Sequence, residues 1–292
     1  MKKNLYYVLL AALLAVSFWG GRQAQAAEKA KNSAAPAKSA APAPVKAPAA
    51  LAAKPLSPEI EEALKHLHAL KEKGLYLDAV KAYEELLLEK DSLPKSLRKK
   101  LVRGYERLNE KLLFSRTISP DTTEVTVVEG DAIYLIAKKN GTTSALTKKI
   151  NGLTQDTIYP GMKLKVVTGK FFIRVDKSSN TLRLFLNDKP VKTYSVATGR
   201  DNSTPTGEFV VQHKLVDPTW YRTGAVIPPG SPENGLGTRW LGLDHPGYGI
   251  HGTTEPGLIG RQVSHGCVRM RNADVEELYD IIPYGTKVAI TD

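Results

Sequence analysis

Apolar residues first recur at helical spacing at Ile60, Ala63, Leu64, Leu67 and Leu70. Ser57-Pro58-Glu59 opens that run in the order N-cap, first-turn proline, first-turn acid, and Gly74 ends it. A second predicted helix carries Ala79, Val80, Tyr83, Leu86 and Leu87 as far as Pro94, and a third carries Leu97, Leu101, Val102, Tyr105, Leu108 and Leu112. The texture then changes. An alternating strand over 124–128 leads through Gly130-Asp131 to a helix with Ile133, Ile136 and Ala137, stopped at Gly141. A second short helix runs to Ile150, and Tyr159-Pro160-Gly161 turns into a closing strand over 162–167. From Phe171 the period becomes two, over 171–175, 182–186 and 191–196, with turn signals at Lys177-Ser178-Ser179-Asn180 and Asn187-Asp188-Lys189. This predicts a mainly antiparallel β domain. The Gly- and Pro-rich stretch 217–249, with Trp220, Tyr221, Trp240 and Tyr248, reads as a long loop forming a lid over an extended substrate. A last helix is expected after an N-cap at Asn272, with Asp274 in its first turn and Val275, Leu278 and Ile281 as its apolar face. The pattern is that of an α+β multidomain chain.

The N-terminus reads differently. Met1-Lys2-Lys3, an apolar run over 5–19 and Ala24-Gln25-Ala26 have the order of a secretory signal peptide, residues 1–26. The run is shorter than the roughly 20 residues a spanning helix needs, so no stable membrane span is expected after cleavage. Residues 27–56 collapse to Ala, Pro and Lys, the composition of an extended linker. Export changes the meaning of the charge. Removing Lys2, Lys3 and Arg22 lowers the formal net charge from +11 to +8, and a basic exported protein meets carboxylate-rich wall polymer or anionic lipid rather than nucleic acid. The single cysteine, Cys267, cannot form an internal disulfide, so it is a buried bystander, an intermolecular link or a reactive thiol.

Two regions before Phe171 carry resemblances. Gly74-Leu75-Tyr76 with Ala79 and Tyr83 resembles the middle of one tetratricopeptide repeat within residues 57–116, although Leu67 stands where that pattern wants a small side chain. A generic helical hairpin is the alternative, and either is a docking surface for a protein partner. Residues 123–168, a strand-helix-helix-strand order with Gly130-Asp131, Asn151-Gly152-Leu153 and Ile158-Tyr159-Pro160-Gly161, resemble a LysM domain. That likeness implies binding of N-acetylglucosamine-containing glycan between Gly130, Asp131, Ala132 and Ile133 on one side and Leu153, Ile158 and Tyr159 on the other. Ala132 replaces a hydroxyl that many such modules carry, and Ile158 and Tyr159 are also readable as core packing.

The chemistry concentrates near the C-terminus. Ile250-His251-Gly252-Thr253 precedes Ser264-His265-Gly266-Cys267-Val268-Arg269-Met270. A thiol is a good nucleophile as thiolate, and a nearby imidazole depresses its pKa. The glycine before Cys267 permits a tight turn in which the N–H groups of Gly266 and Cys267 point at one oxygen, an oxyanion hole. A zinc site from His245, His251, His265 and Cys267 matches no common ligand spacing, so neither metal nor cofactor is expected. His66, His68 and His213 read as surface or packing residues.

With Ala197-Thr198-Gly199, Thr204-Pro205-Thr206-Gly207-Glu208-Phe209 and Tyr284-Gly285-Thr286-Lys287-Val288, residues 170–292 resemble the YkuD-type L,D-transpeptidase family. Part of that family has Asn where this chain has Arg269. The resemblance implies that Cys267 is the nucleophile, His251 the base and Gly252 its carbonyl orienter. His265, Gly266 and Arg269 would line the donor site, with Ser264, Trp220 and Tyr248 also facing substrate. His265 as a loop-ordering residue and Arg269 as an ion-pair partner stay open. The implied reaction is acyl transfer from a peptidoglycan stem tetrapeptide through a thioester to an amine, with inhibition by carbapenems, in the periplasm or cell envelope. Hydrolysis in place of transfer, an L,D-carboxypeptidase or cross-link hydrolase, is the nearest alternative; a non-catalytic wall-binding adaptor is the other.

Overall fold

The computed structural model describes residues 56–89 and 93–292, so the expected signal peptide and nearly all of the 27–56 linker lie outside the described residues. The first helix, α1 (Pro58–Glu72), begins where the caps predict. Ser57 Oγ accepts from Ile60 N–H at 3.4 Å, and Glu59 and Glu61 sit in the first turn, where the helix dipole favours negative charge. Gly74, at φ +72°, supplies the left-handed residue that turns the chain into α2 (Tyr76–Leu88). A third helix, α3 (Lys95–Phe114), completes one apolar cluster in which Ile60, Leu67 and Leu70 meet Tyr83, Leu86, Leu101 and Tyr105. Gly104 makes the approach of α3 to α2 possible, since a Cβ there would stand 2.3 Å from Tyr83 Oη. Tyr105 Oη donates to Glu84 Oε1 at 2.6 Å across the same seam.

Next come β1 (Thr122–Thr126), α4 (Ile133–Lys139), α5 (Ser144–Asn151) and β2 (Lys163–Val167), with β1 and β2 antiparallel. The first strand stops short of the expected 128 because Val128 N–H leaves the ladder and donates to the Asp131 carboxylate at 2.9 Å. Gly152, at φ +68°, caps α5. Lys165 of β2 is buried and donates to Leu112 O at 2.7 Å, Leu113 O at 3.3 Å and Ser115 O at 2.8 Å, covering the carbonyls at the end of α3. Burial pushes its pKa down to about 8.

The remaining chain builds a curled, mainly β sheet and two small strand pairs. The strands of this region are β3 (Phe171–Asp176), β4 (Thr181–Leu186), β5 (Lys189–Ser195), the short β6 (Thr198–Gly199), β7 (Gly207–Val216), β8 (Trp220–Arg222), β9 (Ala225–Ile227), β10 (Arg239–Leu243), β11 (Gly249–His251), β12 (Gln262–Ser264) and β13 (Val268–Arg269). The small pairs are β6 with β12 and β8 with β9. Helix α6 (Asn272–Ile281) and β14 (Lys287–Thr291) close the chain. Eight strands lie in the order β13-β11-β10-β7-β14-β3-β4-β5. Five of the seven neighbouring pairs are antiparallel, whereas β3 with β14 and β11 with β13 are parallel. Helix α6 buries Val275, Leu278 and Ile281 against the sheet.

One expectation is corrected here. The stretch 217–249 is not one long loop, because β10 lies in the middle of the sheet between β7 and β11 and β8 pairs with β9 in a small flap. Gly242 disguises β10 in sequence but is required in the fold, since a Cβ there would meet Trp240 Nε1 at 2.7 Å. Three regions are tied together at Glu277 of α6, which accepts from Lys192 at 2.7 Å and lies 3.4 Å from Lys149 of α5; Lys192 also reaches Glu110 of α3 at 2.8 Å.

Candidate active site

Strands β11 and β13 run parallel with Ile250 opposite Val268 and His251 opposite Arg269. Alternation along each strand sends Ile250 and Val268 into the core and leaves His251, Cys267 and Arg269 toward one cavity of about 540 Å³. Trp220, Tyr248 and His265 also line it. The sequence-predicted residues of this region are therefore brought together.

His251 is 4 % exposed and stacks on Trp240, with ring centroids 5.6 Å apart and planes at 26°. Its Nδ1 lies 2.7 Å from Gly252 O. A carbonyl only accepts, so Nδ1 carries the proton and the neutral ring presents the lone pair of Nε2. Burial pushes the pKa of His251 down to about 4; the Gly252 carbonyl and, more weakly, the Leu236 carbonyl work against burial, and the Arg269 charge works with it. Burial likewise raises the Cys267 thiol above its ordinary value, against a backbone hydrogen bond from Gly249 and the Arg269 charge. Its Sγ lies 3.5 Å from Gly247 O. Burial therefore works against the imidazole-depressed thiolate expected from sequence, since it disfavours the charged form of the thiol and of the imidazole alike.

The turn before the cysteine is braced from inside. Ser264 is 3 % exposed; its Oγ donates to Cys267 O at 2.6 Å and accepts from Gly266 N–H at 3.1 Å. Ser264 thus braces the turn from within while also lining the cavity, and the expected oxyanion pair is corrected, because the Gly266 N–H is already satisfied. Of the expected oxyanion pair, only the Cys267 N–H has no hydrogen-bond partner among the described residues. Gly266 sits at φ +134°, and a Cβ there would meet Tyr248 Cε1 at 2.7 Å. Arg269 exchanges both backbone hydrogen bonds with Ala197 at 2.8 Å, and its Nη1 meets Glu255 Oε2 at 3.1 Å, so the ion-pair reading of Arg269 holds geometrically. Its Nε is buried without a partner. His265 is exposed on the cavity rim, and Trp220 carries the Arg222 guanidinium 5.2 Å above its ring.

Asn272 is a further correction. It does not cap α6, whose N-cap is Arg271 with no side-chain hydrogen bond. Its Oδ1 accepts instead from Thr253 N–H at 2.9 Å, beside the histidine. No local sequence signal separates this use of an asparagine from a cap. Trp240, under the His251 ring, was visible as an aromatic in the supposed lid but carried no sign of that contact.

At the 125–167 module, Gly130 is exposed at φ +85° and Tyr159 is 65 % exposed. Leu153 and Ile158 pack partly against the module's core, and Ala132 holds the N-cap position of α4 with no side-chain hydrogen bond. The Asp131 carboxylate is engaged by Val128 N–H. Ile133 is corrected from rim to interior: at 3 % exposure its side chain belongs to the inward face of α4.

The L,D-transpeptidase catalytic domain family, YkuD, matches residues 170–290, and the LysM domain family matches 125–167. The chain is 38 % identical over 172 residues to YkuD of Bacillus subtilis (strain 168), which bears the name L,D-transpeptidase; the match covers 56 % of this chain and 96 % of that protein. YqjB of the same strain, under the same name, is 45 % identical over 130 residues, 42 % of this chain and 73 % of that one. A solved L,D-transpeptidase from Mycobacterium smegmatis aligns at 18 % identity over 45 % of this chain and 64 % of that chain, with a TM-score of 0.37. With the Bacillus YkuD protein matched over nearly its whole length, the chain belongs to the L,D-transpeptidase family.

Proposed function

We propose that the protein is an exported, cysteine-dependent acyltransferase that joins peptidoglycan stem peptides, working in the periplasm or cell envelope. The observation that carries this reading is the shared cavity that holds Cys267 together with His251, whose Nδ1 is engaged by Gly252 O. Cys267 attacks the carbonyl joining the third residue of a tetrapeptide stem to terminal D-Ala. The thiol proton passes to His251 Nε2, the C–N bond breaks, D-Ala leaves with that proton on its amine, and a thioester remains. An amine on a second stem's third residue then attacks, His251 takes its proton, the new amide forms and the proton returns to sulfur. Because burial disfavours the charged form of both groups, proton transfer accompanies attack. The Cys267 N–H is the donor available to the developing oxyanion.

The 125–167 module would hold N-acetylglucosamine-containing glycan at a rim that includes Gly130 and Tyr159. Helices α1 to α3, of tetratricopeptide type in their first turn, would present Leu77 and Leu88, both exposed, to a protein partner. A cleaved signal at 1–26 and an extended 27–56 linker would deliver the enzyme to the wall mesh.

The test is intact mass of the mature protein after incubation with a disaccharide tetrapeptide, with and without a carbapenem. A thioester adduct absent from Cys267→Ala, together with a cross-linked dimer product, is expected. Tripeptide alone would establish hydrolysis instead, and no adduct with either compound would leave a wall-binding adaptor.

A further inference from the structure

The peptide unit joining Gly252 and Thr253 is held at both ends. Its carbonyl oxygen accepts from His251 Nδ1 at 2.7 Å, and its N–H donates to Asn272 Oδ1 at 2.9 Å. The amide oxygen of Asn272 fills space that two glycines leave open: a Cβ on Gly252 would stand 2.2 Å from it, and one on Gly237 2.3 Å. On either side the main chain is fastened to the sheet, with Gly252 N–H donating to Arg239 O at 3.1 Å and Met270 N–H donating to His251 O at 2.8 Å. Glycine at 252 leaves the intervening peptide plane free to rotate unless something holds it. A hydrogen bond to the N–H of that plane aims its carbonyl and polarises it, which strengthens the acceptor facing the imidazole.

We infer that Asn272 is a positioning residue for acyl transfer: through the Gly252–Thr253 peptide it holds His251 in the Nδ1-protonated tautomer that leaves Nε2 free for the Cys267 proton. This role rests on His251 being the base, as proposed above. It gives the site a third tier, in which α6 sets the carbonyl, the carbonyl sets the ring and the ring serves the sulfur. The chemistry parallels any base oriented by a second group, except that the orienter here is a main-chain carbonyl steered by a side chain.

The test compares the parent with Asn272→Ala and Asn272→Leu, which lack the acceptor, and Asn272→Asp, which keeps an oxygen there. The readouts are the 15N shifts of the His251 ring in the resting protein, and kcat and KM for release of D-Ala from the stem tetrapeptide. The parent and Asn272→Asp should show the Nδ1–H tautomer. The Ala and Leu variants should show a mixture with Nε2–H, a kcat lower by about 10-fold or more and little change in KM, with Asn272→Asp restoring most of the rate. Folded Ala or Leu variants that keep the Nδ1–H tautomer and full kcat overturn the role. So does a resting Nε2–H tautomer in the parent, a measurement that needs no variant to fold. If His251→Ala still forms the thioester, it is instead the assignment of His251 as the base that fails.

Discussion

The Gly130 rim of the 125–167 module and the Cys267 cavity are built on opposite plans. Around the rim, hydrogen bonds close over three or four residues: Asp131 holds Val128, Tyr159 N–H donates to Met162 Sδ at 3.2 Å, and Gly152 ends α5. Around the cavity most partners come from elsewhere in the chain. His251 rests on Trp240 and beside Arg269, Gly266 against Tyr248, Arg269 against Ala197 and Thr253 on Asn272. A rim that recognises a polymer tolerates local bracing and exposure. A nucleophile and base need placement to about 0.5 Å, which only elements fixed on a common core supply.

The largest expected test of that contrast is acid. Folded His251, pushed down to about 4, stays neutral where the unfolded ring, near 6.5, takes up a proton. The unfolded state therefore binds the extra proton between pH 6.5 and 4, so the stability tied to the neutral ring is complete above 6.5 and is lost as pH falls through that window, levelling near 4. The amount is on the order of 3 kcal/mol. Denaturant midpoints measured from pH 7 to 4 should fall, and fall less for His251→Gln; parallel curves would place the acid sensitivity outside the cavity.

A smaller effect is expected at the strut. Ser264→Ala strands the Gly266 N–H and the Cys267 carbonyl, costing about 1–3 kcal/mol. Thermal unfolding and the rate of carbapenem acylation, read together, should both drop; an unchanged acylation rate would show that the turn holds its shape without the hydroxyl. The smallest belongs to the rim. Tyr159→Ala should leave stability within about 0.5 kcal/mol, as for other exposed positions. Calorimetric affinity for an N-acetylglucosamine oligomer should weaken by about fivefold, near 1 kcal/mol. Acylation by a soluble stem peptide should not change, and an unaltered glycan affinity would move the contact away from Tyr159.

Much of this was legible residue by residue. Ser57-Pro58-Glu59 and Gly74 marked the limits of α1 because caps and left-handed glycines are local devices. The strand-helix-helix-strand order of 122–167 was readable for the same reason, although Asp131 moved the end of β1. The alternation at 171–175, 182–186 and 191–196 located β3, β4 and β5 to within two residues at each end. Strand β10 escaped because Trp240, Gly242 and their neighbours carry no alternation; pairing with β7 and β11 makes it a strand. The two parallel pairings of the eight-stranded sheet escaped because parallel and antiparallel strands have the same side-chain period.

At the site, the sequence by itself determined which groups are present: one thiol, the His251-Gly252 step and a glycine-bearing turn before Cys267, the ingredients of acyl transfer beside a wall-binding module. Tertiary structure alone decided their states. Trp240 and the sheet bury His251 and so keep it neutral, Gly252 selects its tautomer, Ser264 takes the Gly266 N–H, and Asn272 is turned from a helix cap into a partner of Thr253. The reason is physical. A residue type fixes which protons a group can exchange, but the energy of each charge and the direction of each hydrogen bond depend on atoms brought near from distant parts of the chain.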